Sequence, residues 1–457
     1  MILKDIIKKY IINSSNKIKI NSKEIKKNNV FLALQGSNYH GNKYINDAFN
    51  AGAKYCITDK KPKGLKNSKK ILLIKNIQKF LINLSKKKRS SFYGQVLGIT
   101  GSAGKTSLKE NLKFFLGKEF KVSASIKSYN NKLGVIISIL NMDLKSDYAI
   151  FEIGTNNFFE IRKLTKLVQP NQIFITNILS THLVNFKNKR NIAKEKSDIF
   201  IKKYNPLAEI LYLQKKSKEE DLIYKIAKKE KLKKLIKIGN KEDESYITKV
   251  QKLQSQYYIT LKIFNKNYKI ILSEYEDKII SNLIFVFTFF IVNKINTNII
   301  IDNIKKLPKI EGRGSIHNVF LNNFKVRLID QSYNANPETM TESIKSFSMI
   351  KNNRRDKILI LGNMNELGVK SYDHHIKVIK EIQKYQFDEV ILCGDFFKKA
   401  LSMFSKLKNK YVYKNSSQNI MSYLNKKLHK NAIIMAKCSN KTEVNKFVNL
   451  LKLQKER

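Results

Sequence analysis

Lys105 and Thr106 close the run Val96-Leu-Gly-Ile-Thr-Gly-Ser-Ala-Gly-Lys-Thr-Ser107, in which an apolar stretch passes through glycines into a lysine and two hydroxyls. That order of residue types suits the holding of phosphate. Gly101 and Gly104 allow the backbone to approach phosphate oxygens with no side chain in the way, and the N–H groups at the start of a following helix carry partial positive charge. Lys105 then reaches the terminal phosphates, Thr106 offers its hydroxyl to Mg2+, and Ser102, Ala103 and Ser107 complete the cradle. The spacing is a variant of the common GxxxxGK[ST] pattern, because Ile99 stands five residues before Gly104. The competing reading is an ordinary glycine-rich turn between a strand and a helix.

Two further groups fall where such a loop could use them. Glu152 ends the apolar stretch Tyr148 to Ile153, where a carboxylate can hold Mg2+ and offset phosphate charge, or simply face water. His182 follows Thr176-Asn-Ile-Leu-Ser-Thr181, beyond another apolar stretch. A lone histidine is commonly structural, but the carboxyl ends of three strands would bring Thr106, Glu152 and His182 toward one crevice. Lys194 and Lys196 lie in Ile192-Ala-Lys-Glu-Lys-Ser-Asp-Ile-Phe200 and read by composition as surface residues.

The elements that must position these groups are α/β in pattern. Residues 1 to about 90 alternate short apolar runs with helical stretches, and the basic segment Lys86 to Ser91 reads as a linker. From Val96 the alternation strengthens, with a helix from about Lys105 to Leu116, strands at Tyr148–Ile153 and Gln172–Thr176, and a helical stretch from Ile192 to Tyr204. This argues a parallel sheet covered by helices on both faces. Between Ser245 and Glu274 the period shortens to two, as in an antiparallel appendage, and a core helix near Asn282 to Asn293 follows. The pattern breaks again around Pro308 to Gly314, after which four more apolar strands alternate with helices.

Length and composition bound the rest. A chain of 457 residues suggests about three domains, and 42% hydrophobic residues suit folded ones. The formal charge of +51 invites a nucleic-acid reading, but only 8 of the 88 basic residues are Arg and the lysines are spread along the whole chain. A solvated lysine-rich surface is the better account. Cys56, Cys393 and Cys438 are too far apart in sequence for a CxxC zinc motif. The N-terminus lacks an export-type apolar core, and the apolar run Leu283 to Val292 is too short to span a bilayer. The expectation is a cytoplasmic, monomeric protein that neither enters a membrane nor binds nucleic acid.

Eight segments in order resemble the motif series of the Mur ligases: Gly98–Ser107, Tyr129-Asn-Asn-Lys-Leu-Gly-Val135, Ala149-Ile-Phe-Glu-Ile-Gly154, His182–Phe186, Ala193–Phe200, Gly312-Arg-Gly314, Ser332-Tyr-Asn-Ala-Asn-Pro337 and Leu361-Gly-Asn-Met-Asn-Glu-Leu-Gly368. The resemblance implies three domains: residues 1–90 binding the UDP end of a substrate, 91–312 forming a central P-loop-type, mostly parallel sheet flanked by helices, and 313–457 a Rossmann-like α/β domain. It implies ATP and Mg2+ as cofactors, with Glu152 and His182 completing metal sites and Lys196 matching the family's carbamylated lysine. Arg313, Asn334 and Asn336 would border the nucleotide, while Ser22, Gly36, Asn130 and Asn131 would face the substrate. The last two segments resemble the branch that joins D-alanyl-D-alanine to UDP-N-acetylmuramoyl-tripeptide in peptidoglycan synthesis. The chain departs from the family pattern at Asn21, Lys23, Gln331, Asn363, Cys438 and Asn440. Two other readings stand beside this one: a ligase that adds the third residue of the peptide, and a P-loop ATPase working on nucleic acid.

Overall fold

The computed structural model describes residues 3–36, 38–62, 68–126, 128–215, 217–254, 256–272, 277–351, 355–404 and 411–454. They pack as two compact units, one comprising Met1–Thr176, Ala193–Tyr246 and Ile284–Ile300, the other Asn177–Ile192, Ile247–Leu283 and Ile301–Arg457.

The first unit holds two sheets. Strands β1 (Ile18–Lys19), β2 (Val30–Ala33), β3 (Tyr55–Thr58) and β4 (Ile71–Leu73) pair in parallel and in sequence order. The helix Ile77–Ser90 follows, and it overturns the expected linker, because Lys86 to Ser90 form its last turns. Lys88 is fully buried there and donates to the carbonyls of Ile11, Ser14 and Leu140, at 3.0, 2.5 and 2.7 Å. Arg89 reaches the Val168 and Gln169 carbonyls. The basic run is therefore a joint between segments of this unit: carbonyl oxygens supply the acceptors that buried cations require.

The second sheet of this unit contains β5 (Gln95–Thr100), β6 (Val122–Ala124), β7 (Tyr148–Glu152), β8 (Gln172–Ile175), β9 (Ile210–Gln214) and β10 (Lys234–Ile238). Their order is β6-β7-β5-β8-β9-β10 and every pairing is parallel. From β5 the chain winds outward in both directions, which makes its carboxyl end the topological switch point where ligands bind in such sheets. Near-continuous apolar runs such as Val96, Leu97 and Ile99 suit strands buried on both faces. The helix Asp277–Val292 brings Phe285 and Phe289 against Phe174, whose ring stacks on Tyr212 at 4.6 Å. Each such ring contributes roughly 1.5–3 kcal/mol by leaving water. No helix among the described residues is long and apolar enough to cross a membrane. The sequence places a helix from Ile192 to Tyr204, but it runs only Lys189–Ser197. Beyond it the Asn205 amide donates to the Ile199 and Pro170 carbonyls, which suits a folded turn better than a continuing helix.

The second unit contains an antiparallel hairpin, β12 (Gln256–Ile263) with β13 (Lys266–Leu272), after β11 (Ser245–Leu253), in keeping with the period-two pattern. It also contains a six-stranded sheet of β14 (Ser315–Leu321), β15 (Phe324–Gln331), β16 (Asp356–Gly362), β17 (Glu389–Cys393), β18 (Val412–Lys414) and β19 (Ala432–Lys437). Its order is β14-β15-β19-β16-β17-β18, parallel except for β14 against β15. This is the Rossmann-like α/β layout with one antiparallel edge strand.

Candidate active site

The turn between β5 and the helix Lys105–Leu116 has the backbone its glycines suggest. Gly101 sits at φ 143, and a Cβ there would stand 1.9 Å from the Thr176 hydroxyl oxygen. Gly104, at φ 83, is the left-handed residue from which the helix starts. The Thr176 hydroxyl donates to the Ala103 carbonyl at 2.6 Å and pins the turn to the end of β8. Ser102 is buried in the turn, and Lys105 folds back to donate to the Gly101 carbonyl at 2.8 Å.

Thr106 and Glu152 meet beneath this turn. The threonine hydroxyl donates to Glu152 Oε2 at 2.7 Å, and the Asn130 amide donates to Oε1 at 2.7 Å. Ser125 and Ser128 add hydroxyls beside the pair, the first accepting from the Glu152 backbone N–H at 3.2 Å. A buried carboxylate and a hydroxyl at the mouth of a glycine turn form a set of hard oxygen donors that fits Mg2+ better than a soft metal.

Lys196 is 2% exposed and donates to the same Gly101 carbonyl at 3.0 Å. Burial, reinforced by the Lys105 ammonium, pushes its pKa well below the ordinary lysine range. A residue that composition marks as surface is therefore fixed against the glycine turn. Its neighbour Glu195 escapes sequence reasoning altogether. That carboxylate accepts from the backbone N–H groups of Phe159 and Ile161, at 2.7 and 2.8 Å.

His182 lies in the second unit, where its Nδ1 pairs with Glu366 at 2.5 Å. Ser180, two residues earlier, donates to Glu338 at 2.8 Å. In the same unit the Arg313 guanidinium lies 4.3 Å from the Tyr333 ring centroid. Asn336 caps the helix Pro337–Ser348 with its side-chain oxygen, while its buried Nδ2 has no partner among the described residues. The Asn334 carbonyl accepts from Lys437 at 3.3 Å.

The four residues expected on the substrate side have varied settings. Asn130 holds Glu152, and Asn131 caps the helix Lys132–Asn141 by accepting from the Gly134 N–H at 2.9 Å. Ser22 opens a short 3-10 turn, and the Gly36 N–H donates to the Tyr39 carbonyl at 2.9 Å. The Asn130 amide is thus engaged with Glu152, and the Asn131 oxygen with its own helix.

Comparison with known proteins gives a consistent set of likenesses. Residues 15–89 match the description "Mur ligase family, catalytic domain", residues 99–289 "Mur ligase middle domain" and residues 319–440 "Mur ligase, glutamate ligase domain". The chain is 29% identical over 434 residues to the UDP-N-acetylmuramoyl-tripeptide–D-alanyl-D-alanine ligase of Rickettsia prowazekii, covering 95% of this chain and 94% of that one. In fold it is similar to MurF from Acinetobacter baumannii, with TM-score 0.78 at 19% identity over 96% of this chain and 93% of that one. It is also similar to MurF ligase from Thermotoga maritima in complex with ADP, with TM-score 0.77 at 22% identity over 97% and 98% of the two chains.

Proposed function

The chain belongs to the Mur ligase family, and we propose that within it this protein is the ADP-forming ligase that joins D-alanyl-D-alanine to UDP-N-acetylmuramoyl-tripeptide. The observation that carries the reading is a likeness spanning nearly the full length of a relative so named, together with an intact Thr106–Glu152 pair under the phosphate turn.

The chemistry divides into two steps. A peptide carboxylate oxygen attacks the γ-phosphorus of ATP, the bond to the β–γ bridging oxygen breaks, and acyl phosphate and ADP result. The amine of D-alanyl-D-alanine then attacks the acyl carbon, inorganic phosphate leaves, and the amine gives up a proton. The protein's part is to position the reactants and to offset charge. The turn from Gly101 to Gly104 and the start of the following helix cradle the phosphates. Lys105 exchanges its carbonyl partner for the terminal phosphates. Thr106 and Glu152 would hold Mg2+, which when bound offsets phosphate charge, and Asn130 keeps the Glu152 carboxylate oriented. His182 is assigned to a second metal position, and Arg313, Asn334 and Asn336 to the nucleotide. Ser22 and Gly36 are assigned to the UDP end.

Lys196 fits the role of the carbamylated lysine. An uncharged amine is the form that attacks CO2, burial favours that form at Lys196, and the carbamate, formed with loss of a proton, would place an anion beside Lys105. The test of the reading is phosphate release from ATP with each substrate omitted in turn. Release that requires both the tripeptide donor and D-alanyl-D-alanine supports it, and release indifferent to them, or stimulated by nucleic acid, rejects it.

A further inference from the structure

Glu152 ends β7, and six residues later the chain carries two adjacent phenylalanines before the helix Glu160–Val168. Phe158 and Phe159 are 39% and 52% exposed, with ring centroids 6.0 Å apart. Phe159 also sits at φ 69, a backbone region that bulky side chains avoid at a cost of roughly 1–3 kcal/mol. Strain of this kind persists only where the surroundings impose it.

The surroundings do so here through Glu195, which is 3% exposed. It accepts from the N–H groups of Phe159 and Ile161 at the far end of the aromatic loop, while the near end is closed by the Thr155 hydroxyl donating to the Asn157 carbonyl at 2.7 Å. The Arg162 guanidinium lies 4.3 Å from the Phe159 ring centroid and is itself held by Asp198 at 2.8 Å. One helix, Lys189–Ser197, thus fixes the aromatic loop through Glu195 and the phosphate turn through Lys196.

We propose that Phe158 and Phe159 form an apolar platform for the aliphatic side chain of the last residue of the donor peptide, with Glu195 as the positioning residue that holds the platform in place. The inference rests on the ligase reading. The carboxylate to be phosphorylated belongs to that last residue and must reach the phosphate end at Lys105 and Thr106, beside Glu152. The loop springs from the same strand end, so it follows directly on the acid beside which that carboxylate must lie. A lysine at that position offers a run of methylenes to the ring faces and an ammonium that aromatic rings attract. Two exposed aromatic rings held by a buried carboxylate suit such a contact better than they suit water.

The test compares two donors, UDP-N-acetylmuramoyl-tripeptides ending in lysine and in alanine, on the full chain with saturating ATP and D-alanyl-D-alanine. The wild type should show a KM about 10-fold lower for the lysine donor, as burial of about two methylenes implies. Phe158→Ser with Phe159→Ser should shrink that preference to about 2-fold by raising KM for the lysine donor, with the loss falling on KM and not on kcat. Glu195→Ala should do the same, and Glu195→Gln, which keeps one carbonyl acceptor, should recover part of it. An unchanged KM for ATP in each variant shows that the phosphate turn is intact, and calorimetric donor binding in the presence of ADP gives the same comparison where turnover is weak. A wild type indifferent to the donor side chain, or a preference equal in wild type and variants, overturns the platform while leaving the ligase intact. Absence of any donor-dependent phosphate release in the wild type overturns both.

Discussion

Thr106 and Glu152, 46 residues apart in the chain, share a buried hydrogen bond of 2.7 Å at the point where the phosphate turn meets the neighbouring strand end. Parallel pairing of β5 with β7, with Ile99 opposite Glu152, sets this distance. A hydroxyl at the start of a helix and a carboxylate at a strand end are thus brought together by one strand pairing.

The first prediction concerns this pair. Glu152→Gln keeps the shape and an acceptor for the Thr106 hydroxyl but removes the charge. ATP-dependent phosphate release should fall by about 100-fold or more, with the thermal midpoint little changed. Equal activity in Glu152→Gln and wild type would remove the carboxylate from the nucleotide site.

The second concerns Lys196, whose pKa is pushed well below the ordinary lysine range by burial beside Lys105. Depleting dissolved CO2 should lower activity, and bicarbonate should restore it. Carbon-13 bicarbonate should give a carbamate resonance in the wild type that is absent from Lys196→Gln. Activity independent of CO2 and no such resonance would leave Lys196 as a plain amine.

The third concerns Lys88. Lys88→Met preserves volume but strands three carbonyl acceptors, so stability should fall by roughly 2–4 kcal/mol in denaturant titrations. Burial lowers the Lys88 pKa to about 8, against 10.5 when unfolded. Between those values the unfolded chain binds more protons than the folded one. The deficit of the variant should therefore widen as pH rises from 8 to 10 and stay constant below 8. A deficit that shrinks across that window would contradict the burial.

A fourth concerns His375, fully buried, whose Nδ1 lies 2.6 Å from the Ser371 carbonyl while Nε2 accepts the Met364 N–H at 3.1 Å. Burial pushes its pKa down to about 4, against 6.5 unfolded. Stability from this group is present above pH 6.5 and is lost as pH falls toward 4, by roughly 3 kcal/mol in all. His375→Gln should remove that part of the acid sensitivity. An identical pH dependence in both proteins would exclude the histidine as its source.

Much of the fold was legible because its signals are local. The glycine turn, the apolar run into Glu152 and the period-two stretch before Glu274 each carry their meaning in adjacent residues, and β7, β12 and β13 lie where those patterns put them. What escaped depends on partners distant in sequence. Lys86 to Ser91 reads as a linker because no local pattern shows that Ile11, Ser14 and Leu140 supply carbonyls for Lys88. Lys196 drew notice only through family resemblance, since in a lysine-rich chain burial of one lysine leaves no local trace. Glu195 left no signal because its partners are backbone N–H groups, which any residue provides.

A ligase of this kind makes an amide bond at the expense of ATP. The direct measurement is mass spectrometry of a reaction containing ATP, Mg2+, UDP-N-acetylmuramoyl-tripeptide and D-alanyl-D-alanine. If the chain is that ligase, a UDP-N-acetylmuramoyl-pentapeptide forms in equal amount to ADP and phosphate, and none forms when D-alanyl-D-alanine is left out. ADP formed at the same rate without any pentapeptide would contradict it.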